Sequence, residues 1–464
     1  MCGIFGIQAP GRDVARIAHF GLLALQHRGQ ESAGIAVSEG GQLMAIRDMG
    51  LVAQVFTEQR LQGFAGEAAI GHTRYSTTGG TMWTNAQPSV QHGARRAVAL
   101  AHNGNLTNTA ELRDRLLAAG APLRSTSDTE VIAALIARDE RPLEEAIAAT
   151  MEVLEGAYAI VLLSEGKLVG FRDPDGIRPL ALGRLDGDTV LASESCVFDL
   201  LGADLVREIA PGEIVVAEGG DLRSIRALEP RGRGALCIFE FIYFARPDTR
   251  LAGVELYGAR VRMGERLAAE APVVADVVIP VPDSGTPAAI GFARASGIPY
   301  SEGLIKNRYV GRTFIQPDQA LREHGIRAKF NPLGEIAGKR VVVVDDSIVR
   351  GSTTRKIVGM LFDEGAVEVH VRISSPPIIS PCFYGIDMAT EGELVASSRT
   401  VDDVRELLGA STLAHLSLDG LQAATGRPEG SFCRACLTRE YPTRIPEIER
   451  LAKLRFETPL GSHA

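Results

Sequence analysis

The fold of this chain is decided by the stretch Arg340-Val341-Val342-Val343-Val344-Asp345-Asp346-Ser347-Ile348-Val349-Arg350-Gly351-Ser352-Thr353-Thr354. Its consecutive valines are typical of a strand that is buried on both faces of a parallel sheet. The glycine and the hydroxyl residues that follow predict a tight turn into a helix. Because ligands of parallel sheets bind where the strands end, we expect a binding site at this turn.

The chemistry of the turn predicts a phosphorylated sugar that carries Mg²⁺. Backbone N–H groups and hydroxyls favour a phosphate there, and the helix dipole is positive at that end. Asp345 and Asp346 would repel a phosphate unless they bind a divalent cation or accept sugar hydroxyls. A nucleotide P-loop is excluded, since residues 334–340 have the wrong glycine spacing, lack the Ser or Thr, and precede the strand.

This stretch closely resembles the phosphoribosyl-pyrophosphate (PRPP) signature of type I phosphoribosyltransferases. The resemblance implies that PRPP is bound by Asp345, Asp346, Ser347, Ile348, Val349, Arg350, Gly351, Ser352 and Thr353. A second buried strand is predicted over residues 276–282, followed by an anion-binding loop at a helix start. In the resembling family this loop receives the pyrophosphate, with Ser284 near the Mg²⁺ that Asp345 and Asp346 hold. Repeated strand–loop–helix units indicate a doubly wound parallel sheet.

Between the two phosphate loops lies a basic segment with one glycine, residues 306–316. A solvated charged loop is the alternative interpretation, but the position of the segment favours a mobile lid over the pyrophosphate. Lys306 and Arg312 are its predicted contacts with PRPP.

Composition limits the other classes of function. A length of 464 residues predicts two or three domains, and a net charge of −8 with dispersed Lys and Arg argues against nucleic acid as a partner. The first residues lack a signal-peptide profile and no apolar run is long enough for a membrane span, so we expect a cytoplasmic protein without membrane contact. In that reducing compartment, the six cysteines are not expected to form a disulfide framework.

The amino terminus, Met1-Cys2-Gly3-Ile4-Phe5-Gly6-Ile7, predicts a nucleophile. A small second residue allows removal of the initiator methionine, which would give Cys2 a free α-amine. Because an α-amine titrates near about 8 and a thiol near about 8.5, one residue could supply both nucleophile and base. A small buried residue in a first strand is the alternative.

Motifs downstream favour the nucleophile. They are Gln26-His27-Arg28-Gly29-Gln30-Glu31, Gly71-His72-Thr73-Arg74-Tyr75-Ser76-Thr77, Asn85-Ala86-Gln87-Pro88, His102-Asn103-Gly104-Asn105-Leu106 and Ser125-Thr126-Ser127-Asp128-Thr129-Glu130. With Cys2, this series resembles the glutaminase domain of the N-terminal-nucleophile amidotransferases.

The resemblance implies a role for each of five residues. Cys2 attacks the side-chain amide of glutamine, while the Asn103 amide and the Gly104 backbone N–H stabilise the oxyanion. Arg74 binds the α-carboxylate of glutamine and Asp128 its α-amine. We leave Arg28, His72 and His102 out of the catalytic set, because a histidine beside a turn is more often structural.

Both α/β and α+β architecture are predicted, in two domains. Apolar runs that alternate with turns over residues 156–213 indicate antiparallel sheet, and the family implies an αββα fold with two sheets between helices. The polar, glycine-rich residues 229–234 predict a boundary between a glutaminase domain (2–230) and a phosphoribosyltransferase domain (235–464) with a cluster-binding tail. The aromatic segment 237–248 is expected to be a packed strand or a domain contact.

Four cysteines in the carboxy-terminal half form a candidate metal site: Cys237, Cys382, Cys433 and Cys436. Their spacing is compatible with buried thiols, with zinc or with a four-cysteine iron–sulfur cluster, and does not choose among them. One branch of the resembling amidotransferase family carries a [4Fe–4S] cluster on cysteines placed like these. The resemblance therefore implies this cluster, in a structural or oxygen-sensing role that touches neither active site directly.

Taken together, the motifs of both halves resemble the glutamine PRPP amidotransferases over nearly the whole chain. The implied reaction, which opens purine biosynthesis, uses ammonia from glutamine to displace pyrophosphate from PRPP and gives 5-phosphoribosylamine. An internal passage for ammonia, with apolar residues such as Ile315 near its walls, is expected. The resemblance also implies feedback inhibition by purine nucleotides and a homo-oligomer, either tetramer or dimer.

The sequence disfavours three rival functions. A glutaminase joined to sugar-phosphate isomerase domains is disfavoured by Asp345 and Asp346, and one joined to an ATP-dependent synthetase would need a fuller ATP loop than residues 283–285 offer. A non-catalytic PRPP-binding regulatory protein is the main alternative. Such a regulator would not require Cys2 or Arg74, and would usually bring a basic DNA-binding helix pair that the sequence lacks.

Overall fold

In the first half of the chain, residues 1–230, strands predominate. The structure, a computed structural model, describes residues 1–76, 80–309, 328–388 and 390–446. Its first-half strands are β1 (Gly3–Gln8), β2 (Ser32–Glu39), β3 (Gln42–Met49), β4 (Ala68–Arg74), β5 (Ser89–His92), β6 (Ala97–Leu106), β7 (Gly156–Ser164), β8 (Lys167–Arg172), β9 (Ala181–Leu185), β10 (Asp188–Ala192), β11 (Asp204–Glu208), β12 (Glu213–Glu218) and β13 (Asp221–Arg226). The helices are α1 (Val14–Ala24), α2 (Val52–Val55), α3 (Glu58–Leu61), α4 (Thr109–Ala118), α5 (Asp128–Arg138), α6 (Leu143–Val153) and α7 (Cys196–Leu201), with a 3₁₀ turn at Trp83–Asn85.

These strands form two facing sheets. Within the described residues their orders are β11-β9-β10-β1-β4-β2-β3 and β13-β12-β8-β7-β6-β5. The core between the sheets is rich in small side chains, including Ala36, Ala99 and Ala159, which let the sheets approach closely. Helices α1 and α7 cover the outer face of the first sheet, and α4 to α6 cover that of the second. The predicted arrangement of two sheets between helices is therefore confirmed.

The second half, from residue 235, alternates strands with helices. Its described strands are β14 (Leu236–Cys237), β15 (Arg250–Leu251), β16 (Val254–Glu255), β17 (Val277–Pro280), β18 (Leu304–Lys306), β19 (Phe330–Pro332), β20 (Arg340–Asp345), β21 (Glu368–Ile373), β22 (Thr412–His415) and β23 (Phe432–Cys433). Its helices are α8 (Leu256–Glu270), α9 (Thr286–Ser296), α10 (Ser352–Asp363), α11 (Val401–Leu408), α12 (Leu418–Thr425) and α13 (Ala435–Thr438), with a π-helical turn at Glu240–Phe244 and 3₁₀ turns at Gly334–Ile336 and Glu391–Glu393.

The valine strand β20 lies inside a parallel sheet of order β17-β20-β21-β22. Val342 and Val344 point into a core shared with α8 and α9. Val341 and Val343 point to the other face, into the core that α10 and α11 complete. Both faces of β20 are thus covered by helices, and the predicted doubly wound parallel sheet is confirmed.

Between the halves the chain is polar, and no sheet strand is formed from Arg226 to Leu236 in this described stretch. The domain boundary near residue 230 stays a prediction. The aromatic segment 237–248 is a contact between the halves, but it is strand only at its first residue and then turns into the π-helix Glu240–Phe244. No helix in the described ranges is both long and apolar enough to span a bilayer.

The halves are joined by a buried set of charges around Arg28. Its side chain has 0% exposure and pairs with Glu194 of the first half and Glu240 of the second, which are 1% and 0% exposed. Burial alone would raise the pKa of Glu194, but His27 and Arg28 outweigh it and hold that pKa below its ordinary value. Both glutamates therefore serve as ion-pair partners of one fully buried guanidinium.

Glu194 also reaches directly into the second half. Its Oε2 accepts hydrogen bonds from the Arg246 backbone N–H at 2.9 Å and from the Thr249 hydroxyl at 2.8 Å. Each half thus supplies a carboxylate that binds polar groups of the other half: Glu240 binds Arg28, and Glu194 binds Arg246 and Thr249. This exchange makes the contact between the halves specific as well as cohesive.

Glu194→Ala is predicted to lower the unfolding free energy by about 3–5 kcal/mol, because it removes one of the two carboxylates that pair with the buried Arg28 and leaves several N–H and O–H donors unpaired in the interior. Urea denaturation followed by circular dichroism measures the change. The matched control is Glu58→Ala, which breaks the solvent-exposed pair of Glu58 with Arg16 and should leave the midpoint unchanged. Equal midpoints for both variants would contradict the role given to the buried pair.

Candidate active sites

Cys2 stands at the start of β1, in the middle of the first sheet. It is 8% exposed, its Sγ lies 3.6 Å from the carbonyl oxygen of Tyr75, and its backbone N–H donates to Asn103 Oδ1 at 3.2 Å. Its own carbonyl accepts from Arg28 Nε at 2.9 Å. The nucleophile predicted from the sequence is therefore held by its backbone on both sides.

Asn103 and Gly104, near the end of β6, lie beside Cys2. Asn103 Oδ1 is used by Cys2, while its Nδ2 is a buried donor with no hydrogen-bond partner in the described parts of the chain. Gly104 has φ +152°, and a Cβ there would lie 2.0 Å from the Ala157 carbonyl oxygen, so no other residue fits. The site thus offers an unused amide N–H₂ next to a thiol, as an oxyanion hole requires.

The two predicted glutamine clamps flank this pair. Arg74 ends β4, which pairs with β1, and its Nη1 donates to the Gly80 carbonyl at 3.2 Å. Asp128 begins α5 and accepts from the Leu106 N–H at 3.1 Å. Burial alone would raise the pKa of Asp128, but His102 and backbone N–H groups outweigh it and lower that pKa. Asp128 is therefore an anion suited to an ammonium group.

His72 and His102 have structural hydrogen bonds. His72 Nε2 lies 3.1 Å from the His102 carbonyl oxygen, and burial together with nearby Arg74 lowers the pKa of His72 to about 3. His102 Nδ1 lies 3.6 Å from Asp128 Oδ1. His72 is thus neutral, and His102 orients the carboxylate predicted to bind the glutamine α-amine.

The second half also contributes to this first site, which the sequence did not reveal. Gly385 lies against Gly104, since a Cβ on Gly385 would be 2.8 Å from the Gly104 carbonyl oxygen. Asn105 Nδ2 donates to the Phe383 carbonyl at 3.0 Å, and the Tyr75 hydroxyl to Asp387 at 3.3 Å. The loop after Cys382 therefore forms one wall of the first site.

The second site lies at the carboxyl end of β20. Asp345 and Asp346 are 9% and 6% exposed, and burial together with their mutual proximity raises the pKa of Asp345 well above its ordinary value. Burial also raises the pKa of Asp346, although hydrogen bonds from Ser284 and Ser347 oppose it. Two carboxylates that resist ionisation side by side are suited to a divalent cation or to sugar hydroxyls.

Ser284 comes from the loop after β17, as predicted. Gly285 lets this loop pass close to β20, since a Cβ there would lie 2.5 Å from the Val344 carbonyl oxygen. Lys306 Nζ pairs with Asp283 Oδ2 at 2.7 Å on the same side. The loop, Lys306 and the two aspartates are thus brought together at one edge of the parallel sheet.

The rest of the predicted PRPP turn divides by position. Ser352 and Thr353 are exposed in the first turn of α10, and Gly351, with φ +75°, is the residue before it. The Ser347 hydroxyl donates to Asp346, and the side chain of Ile348 is buried. The Val349 carbonyl accepts a hydrogen bond from the Val395 N–H, and Arg350 pairs with Glu393 at the surface. Arg312 and Ile315 lie outside the described residues.

The four carboxy-terminal cysteines line one small cavity. Cys237 and Cys433 are register partners of the parallel strands β14 and β23, Cys436 follows in α13, and Cys382 comes from the loop described above. All six cysteines are free thiols. Burial first, and neighbouring sulfurs second, raise the pKa of Cys433 and Cys436.

The cavity brings four thiols together. Within the described ranges, no three His, Cys, Asp or Glu side chains are close enough to hold a single metal ion. In an iron–sulfur cluster each thiolate binds its own iron, so its four sulfurs stand farther apart than those around one zinc. The cavity offers the four thiols that a four-cysteine cluster requires. The guanidinium of Arg178 also lines it.

Arg178 and Glu240 are buried charges that the sequence analysis missed. Arg178 donates to the Tyr384 carbonyl at 2.9 Å and 2.6 Å, and lies 3.8 Å from Glu240. The available signal was a single glutamate inside the aromatic segment 237–248, where an unpaired charge would be costly. The segment's predicted role as a domain contact is correct, but the glutamate was not singled out.

Comparisons with known proteins point to one family. The family model described as a glutamine amidotransferase domain matches residues 72–199. The amidophosphoribosyltransferase of Synechococcus elongatus is 53% identical over 98% of this chain and 94% of its own length. That of Mycobacterium tuberculosis is 50% identical over 100% of this chain and 90% of its own.

Solved structures give the same result. Glutamine PRPP amidotransferase from B. subtilis, complexed with ADP and GMP, matches with a TM-score of 0.90 at 46% identity, covering 96% of this chain and 98% of that one. A structure described as the allosteric regulatory enzyme of purine biosynthesis matches with a TM-score of 0.91 at 47% identity, covering 96% and 97%. The alternative of a non-catalytic PRPP-binding regulator is not supported. This chain belongs to the amidophosphoribosyltransferase family.

Proposed function

We propose that this chain hydrolyses glutamine at Cys2 and passes the ammonia to PRPP bound beside Asp345 and Asp346. The products are glutamate, pyrophosphate and 5-phosphoribosylamine, in the first step of de novo purine biosynthesis. The observation that carries the proposal is the unpartnered, buried Asn103 Nδ2 beside the Cys2 thiol. Nothing else at this position explains why an amide donor is left unused among the described residues.

The first half-reaction uses Cys2 after removal of Met1. The α-amine takes the thiol proton, and Sγ attacks the side-chain carbonyl carbon of glutamine. The oxyanion that forms accepts hydrogen bonds from Asn103 Nδ2 and the Gly104 N–H. When the C–N bond breaks, the nitrogen takes the proton from the α-amine and leaves as ammonia. Water then hydrolyses the thioester and releases glutamate.

Substrate orientation follows from the charges on either side. The Arg74 guanidinium binds the α-carboxylate of glutamine as an ion pair, and the anionic Asp128 binds its α-ammonium group. The carbonyl carbon is thereby placed next to Sγ, so binding energy at one end of glutamine supports reaction at the other.

The second half-reaction takes place at the carboxyl end of β20. Ammonia attacks C1 of PRPP, the bond from C1 to pyrophosphate breaks, and loss of a proton gives the amine product. Ser352, Thr353 and the backbone around Gly351 suit the 5-phosphate at the start of α10. Mg²⁺, for which Ser284, Asp345 and Asp346 are the proposed ligands, neutralises charge on the pyrophosphate when bound. Lys306 and Arg312 are proposed to bind that pyrophosphate.

A [4Fe–4S] cluster is proposed on Cys237, Cys382, Cys433 and Cys436. The four thiols that line one common cavity support it. The cluster would tie β14, β23 and α13 to the loop after Cys382, with a structural or oxygen-sensing role.

Regulation and assembly are part of the proposal. The relative solved with ADP and GMP supports feedback inhibition of this chain by purine nucleotides. We also propose a homo-oligomer, tetramer or dimer, and a cytoplasmic location, which the free state of all six cysteines supports.

The direct test is to incubate the purified protein with glutamine, PRPP and Mg²⁺. We expect glutamate and pyrophosphate to appear in equal amounts. PRPP consumption without glutamate, or the reverse, would contradict the coupled reaction.

Cys2→Ala is predicted to remove glutamine-dependent synthesis and to spare synthesis from added ammonia, since only the first half-reaction needs the thiol. Pyrophosphate release is measured with each nitrogen source. Cys196→Ala, a buried thiol in the same half outside the site, is the matched control and should keep both activities. Equal loss of both activities in Cys2→Ala would refute the division of labour.

Asp345→Asn and Asp346→Asn are each predicted to lower PRPP-dependent synthesis by about 100-fold or more with either nitrogen source, because charge stabilisation at the ribosyl centre is lost. Basal glutaminase activity should remain. Asp276→Asn, at the opposite end of the same sheet, is the control. Unchanged Mg·PRPP affinity in both site variants would count against this role.

Protein purified without oxygen is predicted to be brown and to contain about four iron per chain, the content of a [4Fe–4S] centre. Iron and zinc are measured by elemental analysis. Cys436→Ser should lose the iron, whereas Cys196→Ser should keep it. Colourless, stable and active protein that carries zinc or no metal would rule out the cluster.

A further inference from the structure

The Arg28 guanidinium joins the nucleophile of the first half to a carboxylate of the second. Its Nε–H donates to the Cys2 carbonyl at 2.9 Å. Its Nη1 and Nη2 donate to the two oxygens of Glu240 at 3.0 Å and 2.8 Å, and Nη1 also donates to Glu194. Glu240 thus holds the two terminal nitrogens of the rigid, planar Arg28 guanidinium, and the Nε–H of the same group holds the Cys2 carbonyl.

We propose that Glu240 is a positioning residue for the Cys2 nucleophile and acts through Arg28. The inference rests on the proposed function of Cys2 and goes beyond it, because it assigns part of the glutaminase machinery to the second half of the chain. Glu240 has no exposed side-chain surface and acts through Arg28, so it is a positioning residue and not a catalytic residue.

Glu240 and Glu194 differ in what they hold. Glu194 reaches Arg28 through one oxygen and shares that oxygen with His27, while its other oxygen serves Arg246 and Thr249. Glu240 gives both oxygens to Arg28 in a bidentate pair, which fixes orientation as well as distance. The direction of the Arg28 plane, and with it the Cys2 carbonyl, is therefore set by Glu240.

The position of Glu240 is itself set within the second half. It begins the π-helical turn Glu240–Phe244. The carbonyls of Glu240 and Phe241 in this turn, and of Ala245 directly after it, accept hydrogen bonds from the buried Arg260 of α8. Helix α8 packs with α9, which follows the Ser284 loop. A short chain of buried contacts thus leads from the edge of the PRPP site to the backbone of Cys2.

The test uses the full-length protein with the substitution Glu240→Gln, which keeps volume and removes the charge. One of the two Arg28 N–H groups would then face an amide N–H₂, and because two donors repel each other the guanidinium plane would rotate. Arg28→Lys is a second variant, because lysine keeps the charge but cannot bridge Cys2 and Glu240. Asp175→Asn, which loses an ion pair with Arg231 next to the polar boundary stretch, is the control.

Three measurements are compared in the same preparations: the rate at which a diazoketone analogue of glutamine labels Cys2, the kcat and KM for glutamine, and the ammonia-dependent rate. We expect Cys2 to be labelled at least about tenfold more slowly in Glu240→Gln and Arg28→Lys, and kcat for glutamine to fall while KM changes little. The reason is that displacing a nucleophile by about 1 Å can lower the rate about 10²-fold. The ammonia-dependent rate should stay within about twofold, and Asp175→Asn should match the wild type.

The outcomes separate this inference from the proposed function. If the wild-type protein is not labelled at Cys2, the proposed function itself fails. If the wild type is labelled there and Glu240→Gln is labelled equally fast, only the positioning role is overturned. Equal loss of glutamine- and ammonia-dependent rates in Glu240→Gln, including loss through misfolding, shows a general structural role and also overturns it.

Discussion

The arrangement of this protein depends on burying one positive charge between its halves. Arg28 has no exposed side-chain surface, so its desolvation must be offset by well-oriented partners, and these come from both halves. Because Glu240 and Glu194 each belong to a different half, neither half alone supplies a complete environment for the arginine. The contact that joins the halves and the contact that holds the Cys2 backbone are therefore the same set of atoms.

The two proposed sites differ in how their charges are balanced. The proposed glutamine site has its charges in advance: it contains the Arg74 guanidinium, and His102 and backbone N–H groups hold Asp128 as an anion. At the proposed PRPP site, Asp345 and Asp346 are buried side by side and burial raises the pKa of both carboxyls, so the pair is electrostatically incomplete by itself. Such a site gains most from a ligand that arrives with its own divalent cation.

Much of the fold and of both sites could be predicted from the sequence, because the relevant patterns are local. The run Val341 to Val344 shows a strand covered on both faces, and Cys2, Asn103 and Asp128 stand in short motifs. The partnership of Arg28 with Glu240 could not be predicted, since a buried ion pair between residues 212 positions apart leaves no periodicity or spacing in either segment. The wall formed by the loop after Cys382 was missed for the same reason, as its backbone carbonyls carry no sequence signal.

The contact between Gly104 and Gly385 has a consequence for how such chains can be recombined. A β-carbon at Gly385 would lie 2.8 Å from the Gly104 carbonyl oxygen, because the backbone of the second half lies directly on that of the first, whereas a β-carbon at Gly104 would meet the Ala157 carbonyl of its own half. A glutaminase half transplanted onto a foreign partner would need a matching glycine and the same loop path, or the oxyanion strand would be displaced. Exchange of modules between distant relatives is therefore restricted by backbone shape before any question of substrate arises.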